Sequence, residues 1–432
     1  AAFFAFLSGL DGAALLSGEV DVAGRADPAS LLRPLAEAVR LDPGFGIALR
    51  VWHVATTSAC ARGRLSKGDL ARLADECLHA LPRDGEACVV IAEQLSAEGD
   101  DERATAWLRH AVRLDPPPAR GLESLGIVLA NRGETAAARE LWRAGLEQDG
   151  HPDFFAHLAR LEFACGEDDE AWAKIVVGLR RLRERATRRD EWGDDGRGAG
   201  VLLAYLLEHL VDRKPPAAVG EAVRSLADVL PWAEDRIDLG ACLAALGAAR
   251  EARAELTAGL AGELPADVRD RGVRVLLRLK VRNFEARFAR AVDAVLRRRN
   301  LRKALAELDR IRAIEPRFWL ATFYAGVAHR RLGAEETALD LMAEVLRQRP
   351  GQPDALTEMA ELFDRRGNPK RALECIEDAL VQRPADAALL GRRALYQHHL
   401  GRSGPARESL RAALTSGRSS PELEEIRRQI LS

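Results

Sequence analysis

Apolar residues along the chain recur with the period of an α-helix rather than that of a β-strand. From Leu356 to Phe363 they stand at i, i+3, i+4 and i+7, which places them on one helix face. Gly367 is expected to end that helix in the left-handed conformation. Asn368 and Pro369 are a good cap and first residue for the next helix. The pattern predicts two antiparallel helices joined by a short turn.

The same helix pair returns every 34 residues near the C-terminus. A gap-free alignment places Ala338, Ala372 and Ala406 at equivalent sites on the second helix, and Arg299 where later blocks have Gly333. Small residues suit close helix crossings, since overpacking costs about 1–3 kcal/mol. The aligned blocks are residues 292–316, 326–350, 360–384 and 394–418, and Gly326, Ala360 and Ala394 hold the equivalent small site on the first helix.

This period, with its small, large-apolar and Pro positions, resembles the tetratricopeptide repeat family. The resemblance is strongest over 285–418 and extends to 85–183 and 233–265. It implies an all-α fold, a right-handed superhelical α-solenoid of stacked antiparallel helix pairs, with about ten repeats, some of them irregular. It also implies that the first helix of each pair lines a concave groove that binds a partner.

Regularity changes along the chain. Between 180 and 200 a run of Arg gives way to acidic residues and then to Gly, which indicates a helix end followed by a loop. A helix at 266–283 breaks the 34-residue count. We therefore expect an N-terminal array at 1–184, a loop or joint at 185–199, irregular repeat-like helices at 200–284, and a regular C-terminal array with a capping helix at 285–432.

Composition supports a folded helical protein without a global preference for polyanions. Apolar residues make up 47% and aromatic residues only 5%, and the net charge is −2. The six Cys form no CxxC pair, which favours buried thiols in a reducing compartment. With no signal peptide and no apolar run of about 18 residues, we expect a cytoplasmic protein without membrane insertion.

Catalytic signatures are missing from the sequence. It has no GxxxxGK[ST] loop, no HExxH, no GxSxG and no Cys/His grouping with metal-ligand spacing. The Gly-rich stretch 193–200 is interpreted as a loop. We predict no enzymatic activity, no cofactor and no metal. An enzyme site within the irregular 184–284 region is the alternative.

One segment carries concentrated positive charge. Residues 269–303 hold thirteen Arg and Lys against three acidic residues, a net charge of +10, so the remainder of this −2 chain stands at −12. Arg271, Arg274, Arg278 and Arg282 are spaced to form one stripe on a helix. A solvated face is the plain interpretation. A dock for an acidic partner segment is the functional one, and phosphate backbone is disfavoured because few aromatic residues accompany the stripe.

The resemblance also points to candidate partner-contacting residues on the first helices. A Lys/Asn clamp for C-terminal carboxylates is not kept, because Val327, Glu361 and Leu395 stand where it needs Asn. For each candidate, an ordinary solvated side chain is the alternative, and the His pair would make binding sensitive to pH. The candidates are Arg297, Phe323, Arg330, Arg331, Glu361, Asp364, Arg365, His398 and His399.

These features lead to three functional hypotheses. The first is a non-enzymatic scaffold or adaptor that binds a protein or peptide partner in the groove of a bacterial-style cytoplasmic protein. The second is the sensor or regulatory region of a larger signalling protein, with a catalytic or DNA-binding domain before Ala1, since the chain does not begin with Met. A nucleic-acid-binding solenoid is the third. The sequence specifies neither the partner's identity nor the oligomeric state.

Overall fold

The described part of the chain is built from α-helices. The computed structural model describes residues 28–42, 46–61, 66–79, 82–148, 150–187, 200–227, 229–416 and 421–431, and these contain no β-strand. Residues 1–27 of the expected N-terminal array lie outside them. So does the expected joint at 185–199 beyond Thr187, where a helix ends.

Packing divides the chain into two compact units, residues 1–229 and 230–432. In the first unit, eight of the eleven described helices pair as hairpins with a sequence neighbour, around a core that includes the fully buried Trp52, Trp107 and Trp142. Its helices are α1 (Pro28–Leu41), α2 (Gly46–Ala61), α3 (Lys67–His79), α4 (Gly85–Ala97), α5 (Asp101–Ala111), α6 (Ala119–Asn131), α7 (Thr135–Gln148), α8 (Pro152–Cys165), α9 (Asp168–Thr187), α10 (Gly200–Asp212) and α11 (Ala217–Arg224).

The second unit follows the same plan, with two described helices that have no hairpin partner. One, α14, packs on the pair before it and contacts the pair after it, and the other is the final helix (Pro421–Leu431), which packs on the last pair. The helices of this unit are α12 (Ala233–Ala245), α13 (Ala249–Gly259), α14 (Ala266–Lys280), α15 (Phe284–Leu296), α16 (Leu301–Ile314), α17 (Trp319–Arg331), α18 (Glu335–Gln348), α19 (Pro353–Arg365), α20 (Pro369–Gln382), α21 (Ala387–His399), α22 (Ser403–Ser416) and α23 (Pro421–Leu431). The all-α fold of stacked helix pairs is confirmed.

The turn between α19 and α20 forms as the sequence predicts. Gly367 has a φ of +73°, in the left-handed region that favours glycine. The side chain of Asn368 accepts a hydrogen bond from the Arg371 amide at 3.2 Å, and Pro369 begins α20. This one turn therefore satisfies the end of one helix and the start of the next within three residues.

The gap-free alignment is wrong by one residue at the first turn of the regular array. Four residues separate α15 from α16, whereas three separate α17 from α18. Arg298, with a φ of +55°, therefore occupies the left-handed position that Gly333 holds later, and Arg299 does not. The Arg299 amide donates to the Ala294 carbonyl at 2.9 Å, closing the end of α15.

The small residues lie where the helices approach closely, as predicted. Ala338, Ala372 and Ala406 have no exposed surface. A Cβ added at Gly326 would lie 2.7 Å from Cε of Met342, the side chain across the hairpin. Helix packing therefore explains why small residues recur every 34 positions.

Candidate functional site

The first helices of the regular array form one continuous face of the second unit. Helix α15 contacts α17, and α17 contacts α19. Side-chain bonds carry the connection on from α19 to α21 and from α21 to α23. This first-helix face is defined by Phe323, Arg330, Glu358, Glu361, Asp364, Arg365, Arg392, His398 and His399.

A chain of alternating charges runs along this face and is called the charged ladder. Arg330 Nε lies 2.5 Å from Glu358 Oε2, and Arg330 Nη1 lies 2.8 Å from Glu361 Oε2. Arg392 Nη1 donates to the other oxygen of Glu361. Arg392 Nη2 lies 2.9 Å from Glu422 Oε1 on α23. The ladder therefore connects four helices, α17, α19, α21 and α23.

The members of the ladder are largely withdrawn from water, except Glu422 at its end, whose side chain is 59% exposed. The side chains of Arg330 and Arg392 are 10% and 16% exposed. Burial raises the pKa of Glu358, against the attraction of Arg330. Burial also opposes the charge of Arg392, but attraction and hydrogen bonding from Glu361 outweigh it, so the pKa of Arg392 is raised. Charges on a partner would have to compete with these internal pairs.

Other predicted site residues also have internal partners. Arg331 donates to the carbonyls of Val295 and, at 3.0 Å, Leu296, which satisfies acceptors at the end of α15. His399 Nδ1 lies 2.8 Å from Asp364 Oδ1. Arg297, the residue that follows α15, has its Nε 2.6 Å from Oδ1 of Asp293 in the last turn of that helix. Both side chains are more than half exposed.

Three predicted site residues remain available at the surface. Phe323 is half-buried, with edge-to-face contacts to Trp319 and Tyr324 at centroid distances of 6.5 and 5.2 Å. Arg365 is exposed and makes no ion pair with any described residue. His398 is half-buried beside the ring of His399, at a centroid distance of 6.4 Å. These side chains can contact a partner without first breaking a strong internal bond.

The predicted stripe of four Arg on one helix is wrong at its last member, because α14 ends at Lys280 and the backbone is extended at Val281, which leaves Arg282 beyond the helix. The stripe is also partly neutralised. Arg271 Nη2 lies 2.7 Å from Asp238 Oδ1, and Arg278 Nε lies 2.8 Å from Glu285 Oε1. Burial raises the pKa of Asp238 to about 6, despite the attraction of Arg271. Arg274 and Arg282 have no acid partner among the residues that the structure describes.

Sequence reasoning missed Glu358, Arg392 and Glu422. Arg330 precedes Glu361 by 31 positions, and Glu361 precedes Arg392 by the same number. That separation is three less than the repeat, which brings the two side chains together on neighbouring first helices. A search for opposite charges at this offset could have found the ladder.

A second missed cluster connects helices that are far apart in the sequence. Asp270 Oδ2 accepts from Trp319 Nε1 at 3.0 Å and also from Arg349. The Arg349 guanidinium also lies over the Trp319 ring, 5.7 Å from its centroid. The cluster joins α14 to the start of α17 and to the residue that follows α18. Its members are too far apart in the sequence for a local pattern to predict it.

The described residues lack two further features. Within them, no group of three or more His, Cys, Asp or Glu side chains is placed to hold a metal ion. Among the described helices, none combines the length and the apolar character that crossing a membrane requires.

Comparison with known proteins connects these features to a family. The pattern of the tetratricopeptide repeat family matches residues 289–353 and 357–421. Cellulose synthase 2 operon protein C of Komagataeibacter xylinus is 27% identical over 437 residues, which cover 90% of this chain. This chain spans 31% of the length of that relative.

Several solved structures resemble parts of the chain. MamA is 15% identical over 43% of this chain and 91% of its own, with a TM-score of 0.29. PilW, a type IV pilus biogenesis factor, is 17% identical over 45% and 97%, with a TM-score of 0.31. A tetratricopeptide repeat protein from Parabacteroides merdae is 14% identical over 73% and 99%, with a TM-score of 0.32.

Repeats of this kind suggest a protein–protein interaction scaffold as the general class of function. Three findings agree with one another. They are the 34-residue sequence repeat, the stacked hairpins with small residues at their crossings, and the family match over two double repeats. Residues 289–353 and 357–421 of the chain thus match the tetratricopeptide repeat family.

Proposed function

We propose that this chain is a non-enzymatic scaffold that binds a partner protein or peptide on the first-helix face of its C-terminal array. One observation carries the proposal: on a face whose strongest charges are paired internally, Phe323 is left half-exposed within an aromatic cluster. Aromatic side chains are enriched in the cores of protein interfaces, because they bury large areas with few rotatable bonds.

The charged ladder supports this proposal by holding the face in one arrangement. Arg330 and Arg392 bind carboxylates on neighbouring helices, so α17, α19, α21 and α23 are cross-linked by side chains as well as by packing. A surface that is ordered before binding pays less entropy when a partner docks. The ladder therefore acts as a positioning element in the proposal rather than as the contact itself.

The partner suited to this face offers an apolar side chain at Phe323 and an acidic or polar group near Arg365. Phe323 would supply most of the binding energy, because buried aromatic anchors dominate interfaces. Arg365 is exposed and would add a modest, salt-dependent contribution of about 0.2–1 kcal/mol.

The relative in Komagataeibacter xylinus favours one source for that partner. Its name places it in a cellulose synthase operon, and its similarity extends over 90% of this chain. We propose that the partner is among the proteins of a comparable polysaccharide synthase operon. The proteins encoded beside this chain's own gene are the first to test.

The test is affinity capture with purified chain and two double variants. Phe323→Ala with Arg365→Ala alters the first-helix face. Val381→Ala with Arg347→Ala is the matched control, since both residues are exposed on second helices. We expect the control to retain the partner captured by the wild type and the face variant to lose most of it. Equal retention by both variants would overturn the proposal.

A further inference from the structure

The fold pairs only some of the Arg and Lys residues between 269 and 303 with carboxylates. Of the thirteen Arg and Lys residues between 269 and 303, five bond to carboxylates of described residues. Four of these reach an acid on another helix, which makes them part of the packing. The five are Arg271, Arg278, Lys280, Arg287 and Arg297.

Four of the eight remaining cations gather at the turn between α15 and α16. Arg298, Arg299, Arg302 and Lys303 are all exposed, and none makes an ion pair with a residue that the structure describes. These four residues are called the basic turn. Only Asn300 and Leu301 interrupt them. By contrast, the unpaired cations of the α14 stripe are two, Arg274 and Arg282.

A groove opens beside the basic turn. It measures about 550 Å³ and lies between α15 and α16, where Arg290, Asn300 and Lys303 reach it from both helices. The carboxylate that also lines it, Glu307, is already held by Arg287 through two bonds of 2.7 and 3.0 Å. The small side chains of Ala291, Ala294 and Ala304 leave the space open.

The neighbouring helix adds to the positive charge rather than relieving it. Arg331 of α17 reaches the end of α15 to bond the carbonyls of Val295 and Leu296. Burial lowers the pKa of Arg331, and repulsion by Arg298 acts in the same direction. The turn is therefore crowded with like charges, which an incoming anion would relieve.

One cation of the basic turn stands in a strained backbone conformation. Arg298 has a left-handed φ of +55°, where the equivalent positions of later turns hold Gly333, Gly367 and Gly401. A non-glycine residue in that conformation is strained, because its Cβ crowds the backbone. A sequence that met only the needs of folding would place glycine here.

We propose that the basic turn and its groove dock an acidic peptide segment of a partner protein. Complementary charge selects the occupant, and the groove is large enough for a few carboxylate side chains. The proposal rests on the proposed function only in taking the chain as a binding scaffold, because the basic turn shares no residue with Phe323 and Arg365, the contacts of that proposal. It adds a second contact that would steer the partner towards the array.

Nucleic acid is the competing polyanion, and the surroundings disfavour it. The chain outside 269–303 carries a net charge of −12, which would repel a long phosphate backbone. The nearby rings of Phe284 and Phe288 are 2% and 8% exposed, so they offer no platform for stacking bases. The exposed cations are confined to one turn, which matches a short segment.

The experiment measures binding of a fluorescent peptide of about ten Glu and Asp residues by anisotropy at low and moderate salt. Arg299→Glu with Lys303→Glu reverses two charges of the basic turn. Arg274→Glu with Arg282→Glu makes the same charge change on α14 and just beyond its end, and is the matched control. We expect the turn variant to bind about tenfold or more weakly and the control within about threefold of the wild type.

Several outcomes would overturn the inference. They are a wild type that does not bind the peptide, equal weakening in both variants, or tighter binding of a 20-nucleotide DNA strand that depends on the same turn. If the Glu variant misfolds by circular dichroism, Arg299→Gln with Lys303→Gln replaces it, with an expected loss of about threefold or more. Capture that still depends on Phe323 and Arg365 would leave the proposed function standing when the acidic dock fails.

Discussion

Nη1 of Arg330 lies 2.8 Å from Oε2 of Glu361, although the two residues are 31 positions apart and lie on different helices. The same offset joins Glu361 to Arg392 one repeat later. When the repeats stack, their first helices lie side by side, and opposite charges on neighbouring first helices therefore become paired. The regular array is held together both by its apolar hairpins and by the charged ladder across them.

Breaking the ladder at Arg330 should be costly. In Arg330→Leu, Glu358 loses its cation while only 17% exposed, and Glu361 keeps only Arg392. We expect the free energy of unfolding to fall by about 2–4 kcal/mol in urea titrations, because an uncompensated charge remains in a poorly hydrated site. Arg383→Leu is the control, since its pair with Asp354 is about half exposed and should change stability by under about 1 kcal/mol. Equal small losses would contradict a structural ladder.

Asp238 should give the second unit a measurable dependence on pH. Burial raises the pKa of Asp238 from its ordinary 3.8 to about 6 in the folded chain. A raised pKa means that Asp238 stabilises the fold below about pH 4 and loses that contribution as the pH rises to about 6. Relative to Asp238→Asn, the wild type should lose about 2–3 kcal/mol of unfolding free energy between pH 4 and 7. Chemical denaturation at four pH values measures this, and parallel curves for the two proteins would refute it.

The one-residue shift at the first turn can be tested with glycine. Arg298→Gly should raise the free energy of unfolding by about 0.5–1 kcal/mol, because glycine adopts the observed φ of +55° without strain. Arg299→Gly removes the same charge at a residue outside the left-handed region and should lower stability slightly. Thermal and urea unfolding of the two variants shows which residue occupies the left-handed position of the turn. A gain at 299 rather than 298 would favour the gap-free alignment.

The cluster of Asp270, Trp319 and Arg349 should stabilise the start of the regular array. Asp270→Ala leaves the Trp319 indole and the Arg349 guanidinium without their shared acceptor. We expect a loss of about 1–3 kcal/mol and a shift in tryptophan fluorescence, because Trp319 is a member of the cluster. Asp340→Ala, an exposed site on α18, is the control and should change neither by much. An unchanged unfolding curve in Asp270→Ala would show that the cluster is dispensable.

Local chemistry predicted most of the fold, because each hairpin is specified by residues close to one another in sequence. Gly367, Asn368 and Pro369 indicate a turn without reference to anything distant. The ladder and the Asp270 cluster could not be read in this way, since their members meet only after the repeats stack. Arg299 was assigned to the glycine position that Arg298 occupies, because the repeat count is preserved from α16 onwards while α15 ends one residue early. Of the candidate site residues, Arg330, Glu361, Asp364 and His399 proved to be bonded to other members of the first-helix face, which composition cannot show.

The central claim is that the first helices of the C-terminal array form the binding face. The most direct measurement places a photo-crosslinking amino acid at Phe323 and, in a second protein, at Val381, which is 73% exposed on α20. Each protein is irradiated with the proteins encoded beside its gene, and adducts are identified by mass spectrometry. The account predicts one specific adduct at 323 that excess unlabelled chain suppresses, and none at 381. An adduct at 381 with none at 323 would contradict it.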